Sequence, residues 1–342
     1  MSTFLRTLGL DLPVLAAPMA GGAGTPALAV AAARAGGLGF VAAGYKTPQA
    51  LADEITTVTA AGVPFGVNLF VPSLVPVDPV AFRRYAERLA ADARRHGITL
   101  DPEPVEDDDH WHDKLDLLRQ RRVPLVSLAF GIPAPADLVA LRATGALLLQ
   151  AVTNVEEAKA AAEAGVDALA VQGAAAGGHY GTFTPTRPAA AVPLTDLLAA
   201  IRNAVGLPLV AAGGITTPED VAAAVRAGAD AVSVGTVLLR SDEAGTSAVH
   251  RAALTDPART GTVITHAFTG RPARALRNGF IDEHGEHAPY GYPAVHHLTT
   301  GLRRAAAAAG DAERVHLWAG TGYRQAATGP AAAIVTGLAA RL

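Results

Sequence analysis

Short, continuously apolar runs alternate along the chain with longer segments in which apolar positions recur every three or four residues. Eight of the short runs read as strands: 13–19 ("PVLAAPM"), 38–44, 64–70 ("PFGVNLF"), 124–131, 146–152, 168–173, 208–214 and 231–237. None alternates apolar with polar residues, so each is expected to be buried on both faces, as in a parallel sheet covered by helices. Helical segments fall between them at 25–35, 48–61, 78–96 with 107–121, 135–143, 154–164, 194–204, 218–227 and 245–254. Thr25-Pro26, Thr47-Pro48 and Thr217-Pro218 each set a capping threonine before a proline suited to the first helical turn. The phrases "ARAGG", "AEAGV" and "VRAGA" close helices on glycine.

Eight strand-then-helix units in series predict an α/β fold, a (β/α)8 TIM barrel. A doubly wound open sheet is the alternative topology. Two regions fall outside the count. Residues 71–122 enlarge the third connection with a proline-rich loop and two helices. Residues 255–342 follow the eighth unit and read as mainly helical, with loops at 278–293 and 316–330. The expected organisation is a barrel over 1–254, carrying the insertion 71–122, and a C-terminal helical extension over 255–342 that caps its active face.

Composition narrows the classes. The 342 residues are half hydrophobic with a net charge of −3, so nothing favours nucleic acid or an anionic membrane surface as partner. No apolar run reaches the length of a membrane span, and the N-terminus lacks the basic-then-apolar pattern of a leader, so a cytoplasmic protein is expected. With no cysteine, disulfides, thiolate metal sites and cysteine nucleophiles are excluded.

Candidate chemistry gathers where a barrel enzyme keeps it, at the carboxyl ends of the strands. Gly213 and Gly214 follow strand seven in "AAGGITTPED", and Gly235 and Thr236 follow strand eight in "VGTVLL". Bare backbone amides, a hydroxyl and a helix start at Pro218 suit a phosphate on a cofactor or substrate; tight turns alone are the plainer reading. Asn68 and Gln172 put amide side chains near strand ends, where they meet either backbone or the polar edge of a ligand such as a flavin pyrimidine ring.

In "VQGAAAGGHYGTF" (171–183), His179 follows residues with almost no side chain. Such neighbours let a flat ligand approach closely, which makes His179 a candidate for proton chemistry rather than a turn residue. The acidic stretch "EDDDHWHDKLD" (106–116) reads as a helix start, since His110 and His112, two apart, do not share a helix face. His284, His287, His296 and His297 lack a carboxylate cluster, and no metal is expected. Arg271, Arg274 and Arg277 in "TGRPARALRN" are expected on one helix face, tying the extension to the barrel.

"AAPMAGG", "GLGFVAAG", "PFGVNLF", "VQGAAAGGHYGTF", "PLVAAGGI", "VSVGT" and "LWAGTGY" occur in this order from about residue 10 to residue 335. Together they resemble the nitronate monooxygenase family, once called 2-nitropropane dioxygenases. The resemblance implies non-covalent FMN and the oxidation of alkyl nitronates, and of nitroalkanes, by O2 to a carbonyl compound and nitrite. By position it implies FMN contacts at Asn68, Gln172, Gly177, Gly178, Gly213, Gly214, Ser233, Gly235 and Thr236, with the Pro18-Met19 turn against the isoalloxazine. His179 matches the histidine held to act as base on neutral nitroalkanes. Ser233 stands where the family often has Gln, and Tyr180, expected on the substrate side, where it has Arg or Pro. The implied partners are a small-molecule nitronate and O2, in a monomer or homodimer. An FMN-dependent NAD(P)H reductase of quinone or enoyl type is the alternative activity, and a flavin-binding protein without turnover the alternative class.

Overall fold

All eight apolar runs become strands, and all eight run parallel. The computed structural model describes residues 3–72 and 75–342. In chain order the strands are β1 (Val14–Ala16), β2 (Gly39–Ala42), β3 (Phe65–Phe70), β4 (Leu125–Ala129), β5 (Leu147–Val152), β6 (Ala168–Gln172), β7 (Gly178–His179), β8 (Leu209–Ala212) and β9 (Ala231–Val234). Leaving aside the short β7, they pair in the order β1-β9-β8-β6-β5-β4-β3-β2, and a parallel bridge from Leu15 to Leu38 brings the two ends together. The barrel is nearly closed.

The two-residue strand period decides what lies inside it. Val14, Val67, Val126, Leu169 and Leu209 point outward into the layer between strands and helices. Their neighbours Leu15, Leu125, Leu149 and Val210 point inward and fill the amino end of the barrel, together with Phe4 and Leu5 of helix α1 (Thr3–Thr7). Two residues further along the same inward rows stand Asn68, Ser127, Gln172 and Ser233, which line a cavity instead. Strand parity alone therefore aims the amides at the carboxyl end.

The helices after α1 are α2 (Pro26–Arg34), α3 (Pro48–Ala60), α4 (Pro79–Arg95), α5 (Trp111–Gln120), α6 (Pro135–Arg142), α7 (Val155–Glu163), α8 (Leu194–Ala204), α9 (Pro218–Arg226), α10 (Ala248–Thr255), α11 (Gly279–His284), α12 (Ala294–Ala308) and α13 (Ala331–Leu338). The threonine caps form as expected: Thr25, Thr47 and Thr217 each accept from the amide three residues on. Of the two helices in the third connection, α5 joins the outer ring between α3 and α6, while α4 leaves it to pack on α12.

The eighth place in that ring, expected for 245–254, is taken by the C-terminal helix α13, which packs on α2, α9 and β1. Helix α10 lies instead against the C-terminal segment around residues 312–325. The extension also holds two strands that sequence periodicity does not announce, β10 (Thr262–Thr265) and β11 (Ala273–Leu276). They pair antiparallel, and β11 pairs with β7, opposing Ala273 to His179. Arg274 therefore lies on a strand and not, as expected, on a helix face. It still ties the two regions: Arg274 Nε donates to Ala174 O at 2.7 Å, and Arg271 donates to Thr182 O.

A second core, with Phe82, Tyr85, Leu89, Phe268, Phe280 and Leu302, joins α4 to the extension. Tyr85 donates to Ala267 O at 2.7 Å. The insertion and the extension so form one wall over the barrel mouth.

Candidate active site

A cavity of about 560 Å³ opens at the carboxyl end of the barrel, and it is lined by Pro18, Met19, Asn68, Gln172, Gly177, Gly178, His179, Gly213, Gly214, Ser233, Gly235 and Thr236, the residues expected to hold the cofactor or do the chemistry. The glycine loops meet backbone to backbone. A Cβ on Gly177 would stand 2.5 Å from Gly320 N, and one on Gly320 would stand 2.6 Å from Ala175 O, so neither position admits a side chain. Among the described residues the amides of Gly214, Ile215 and Gly235 donate to no protein acceptor. Thr236 Oγ1 accepts from Gly320 N at 2.9 Å, leaving its proton to give. Helix α9 starts at Pro218 as expected. Its capping box is complete, with Asp220 Oδ2 accepting from Thr216 N and Thr217 N at 2.9 Å each, so those two amides are already satisfied and the loop amides before them remain free.

Asn68 donates from Nδ2 to Ser127 O at 3.3 Å and Ser127 Oγ at 3.2 Å, which turns Oδ1 to the cavity. Gln172 uses both ends of its amide on the histidine loop: Nε2 donates to His179 O at 2.9 Å and Oε1 accepts from Gly181 N at 2.6 Å. It holds the loop that carries His179.

The imidazole of His179 sits in a box of aromatic rings, with centroids 5.6 Å from Phe130, 5.8 Å from Tyr292 and 5.5 Å from Trp318. Thr269 Oγ1 donates to Arg271 O at 3.2 Å, so it accepts from His179 Nε2 at 2.9 Å. The ring proton is thereby placed on Nε2 and the lone pair on Nδ1. Burial, and the cations Arg271 and Arg303 nearby, push the pKa of His179 down to about 3. The result is a neutral imidazole with a bare nitrogen in a largely apolar chamber: the ring is unprotonated at neutral pH, and the same burial that keeps it so lowers its basicity.

A family model described as nitronate monooxygenase matches residues 3–340. The chain belongs to the nitronate monooxygenase family. A protein of Staphylococcus aureus strain Newman named probable nitronate monooxygenase is 35% identical over 337 residues, covering 97% of this chain and 95% of that one. A relative of the same name from Staphylococcus saprophyticus is 36% identical over 332 residues, covering 93% and 90%. Among solved structures, the nitroalkane oxidase of Streptomyces ansochromogenes superposes with a TM-score of 0.93 at 46% identity, covering 99% of this chain and 97% of that chain. FabK of Thermotoga maritima superposes with a TM-score of 0.77 at 26% identity, covering 99% and 94%. The protein is an oxidoreductase of this family, and no helix among its described residues is long and apolar enough to cross a membrane.

The two residues expected to depart from the family pattern differ in placement. Ser233 lines the cavity. Tyr180 does not, which corrects the expectation of a substrate-side residue: it is buried behind the loop, with its amide donating to Pro272 O at 2.8 Å. Alternation along the extended β7 segment sends His179 inward and its neighbour outward.

Sequence reasoning missed Tyr45, Thr269, Arg303, His316 and Trp318, all of which line the same cavity in this nitronate monooxygenase fold. They come from four separate stretches of chain, and only the extension's docking unites them. Tyr45 and Phe130 hold left-handed backbone, with φ of 69° and 83°. Such strain in large side chains concentrates at functional sites. The remaining acid–imidazole cluster, Asp92, Glu283 and His284, is built around a cation already: Arg314 Nε lies 2.8 Å from Asp92 Oδ1, and Arg314 Nη2 lies 2.8 Å from Glu283 Oε2. It fastens α4 to α11.

Proposed function

We propose that the protein binds FMN in this cavity and oxidises alkyl nitronates, and with His179 as base neutral nitroalkanes, by O2 to a carbonyl compound and nitrite. The observation that carries the reading is a neutral imidazole, its lone pair on Nδ1, lining the same chamber as loops with unpaired amides. The donor set fits FMN. The amides of Gly213, Gly214, Gly235 and Thr236, with the Thr236 hydroxyl, suit a phosphate dianion. Asn68 Oδ1 suits a ring N–H, and Pro18 and Met19 offer an apolar surface beside Ser233, Gln172, Gly177 and Gly178 for a flat ring. When bound, FMN supplies the electron transfer.

The rest is the work of the chain. His179 Nδ1 removes the α-proton of a nitroalkane, a step that a preformed nitronate does not need. The aromatic box keeps water from the deprotonated carbon and accepts an alkyl chain. Thr269 holds the ring in the tautomer that leaves Nδ1 bare.

The test is direct. The protein is expected to purify yellow, to release FMN on denaturation, and to yield nitrite from an alkyl nitronate in the presence of O2. A flavin reduced by NADH but inert to nitronates would turn the assignment to the reductase alternative. A colourless protein that FMN does not reconstitute would overturn both.

A further inference from the structure

One cation in the cavity wall, besides bearing on His179, lacks a counter-ion. Arg303, on α12, is 5% exposed, yet every acceptor it meets is uncharged. Its Nε donates to Thr299 Oγ1 at 2.9 Å, and its Nη2 to Thr300 Oγ1 at 2.8 Å and His296 O at 3.1 Å. The same Nη2 lies 3.2 Å from His296 Nδ1, and Nη1 lies 3.2 Å from His316 Nδ1. No carboxylate among the described residues comes within ion-pair distance of it. Burial lowers its pKa only to about 10, so the charge persists at neutral pH. A buried cation without a counter-ion is costly, and a ligand bringing negative charge relieves that cost.

The hydrogen bonds also settle two tautomers. A guanidinium has donors only, so each Nδ1 that faces it is the bare acceptor of its ring. Burial beside the cation keeps both imidazoles neutral, with pKa values displaced below the usual range. Each ring must then carry its proton on Nε2. Both histidines line the cavity, and neither Nε2 meets a protein acceptor among the described residues. Position completes the picture. Trp318 lies between His179 and His316, at 5.5 and 5.2 Å, and Tyr292 between His179 and His296, at 5.8 and 6.3 Å. Tyr45 stacks on His296 at 3.9 Å and fixes its plane.

We propose that His296 and His316, locked by Arg303 as Nε2–H donors, form an oxyanion subsite that receives the nitronate oxygens while His179 faces the carbon. The assignment rests on the function proposed above and names the residues that read its substrate. When His179 takes the α-proton of a nitroalkane, negative charge builds on the nitro oxygens. Donors already aimed at that charge stabilise it without reorganising. The same donors bind a preformed nitronate in its ground state.

Nitrite, a small nitrogen oxyanion that is not itself oxidised in this scheme, is the probe. Calorimetric titration of sodium nitrite into FMN-loaded protein is expected to show one site, with competition by propyl-2-nitronate. His296→Leu and His316→Leu are each expected to weaken nitrite about tenfold or more, the scale of a hydrogen bond to a charged group, at unchanged FMN stoichiometry. His316→Gln, which restores an N–H donor, is expected to recover most of the loss. Unchanged nitrite affinity in both leucine variants overturns the subsite, and so does an equal loss in His316→Gln, which would mark a packing role. Wild-type protein that binds nitrite through these residues but does not turn over nitronates would instead overturn the proposed function alone.

Discussion

The base role proposed for His179 rests on surroundings that keep its ring unprotonated at neutral pH, at the cost of a lower proton affinity. Lone histidines are more often structural than catalytic, and the feature that marked this one was its flank of small residues, "GAAAGG", at 173–178. The structure adds what no local pattern carries: the Thr269 partner 90 residues away, and burial that, with two guanidiniums nearby, keeps the ring neutral. Because its folded pKa is pushed down to about 3, the ring stays unprotonated from pH 8 to pH 5, and the base is lost only as pH falls toward that value. His179→Asn removes proton acceptance at similar size. Oxidation of a neutral nitroalkane is expected to fall about 10²–10⁴-fold, and oxidation of the preformed nitronate much less. Equal losses on both substrates, measured on one flavin-loaded preparation, would remove the base assignment. In the glycine loop after β8, Gly214 holds φ +75° with a Cβ site 3.2 Å from Ala175 Cβ. Gly214→Asp sets a carboxylate among the free amides, and like-charge repulsion on the order of 3 kcal/mol is expected to strip FMN from a folded protein. Stoichiometric FMN in that variant would place the phosphate elsewhere.

Elements were legible where their signals are local. Buried parallel strands read as unbroken apolar runs, and threonine–proline starts and glycine ends bracketed the helices between them. The hairpin of β10 and β11 escaped because four-residue strands such as "ARAL" show no period, and because its partner is the two-residue β7 far upstream. The acidic stretch before α5 has the pattern of ordinary helix-start charge, yet one of its members does something else. Asp109 Oδ1 accepts from Tyr45 N at 3.0 Å, and its Oδ2 lies 2.7 Å from Lys114 Nζ. Lys114, 1% exposed, donates onward to Ala43 O at 3.0 Å. The insertion thus holds Tyr45 in its left-handed conformation, with its ring on His296. Burial displaces both charges toward neutrality, raising the Asp109 pKa and lowering that of Lys114, so the pair is costly and its gain is placement. Lys114→Met is expected to lower the unfolding free energy by about 1–3 kcal/mol, the cost of orphaning hydrogen-bonded partners. It should also raise KM for nitronates without changing FMN content. A variant with wild-type KM would show that Tyr45 keeps its place without the clamp.

At the scale of the whole molecule, the cavity exists because distant parts of the chain converge on it, and they bring an unusual number of imidazoles. His179, His250, His296 and His316 all line it. Burial holds each of them below its ordinary pKa, to about 3 for His179 and about 4 for His250, and well below it for the other two. In the unfolded chain all four return to about 6.5. Their folded pKa values are depressed, so between about 6.5 and about 4 the unfolded state binds more protons than the folded one. The sign follows: stability is complete above about pH 6.5 and declines as pH falls. Each ring that is neutral when folded and charged when unfolded adds a slope of about 1.4 kcal/mol per pH unit. Most carboxylates titrate below this window, so the loss between pH 6.5 and 5 isolates the histidines. Urea midpoints of the FMN-free protein at pH 7.5, 6.5, 5.8 and 5.0 are expected to fall progressively across that span. His250→Leu, which removes one of the four, should flatten the decline by about one proton. The slope would then be the energetic trace of histidines held without charge, the four of the cavity together with His266 and His284, which burial also depresses. Midpoints that stay level from pH 7.5 to 5.0 would mean that these rings are protonated in the folded protein, and His179 could not then serve as the base.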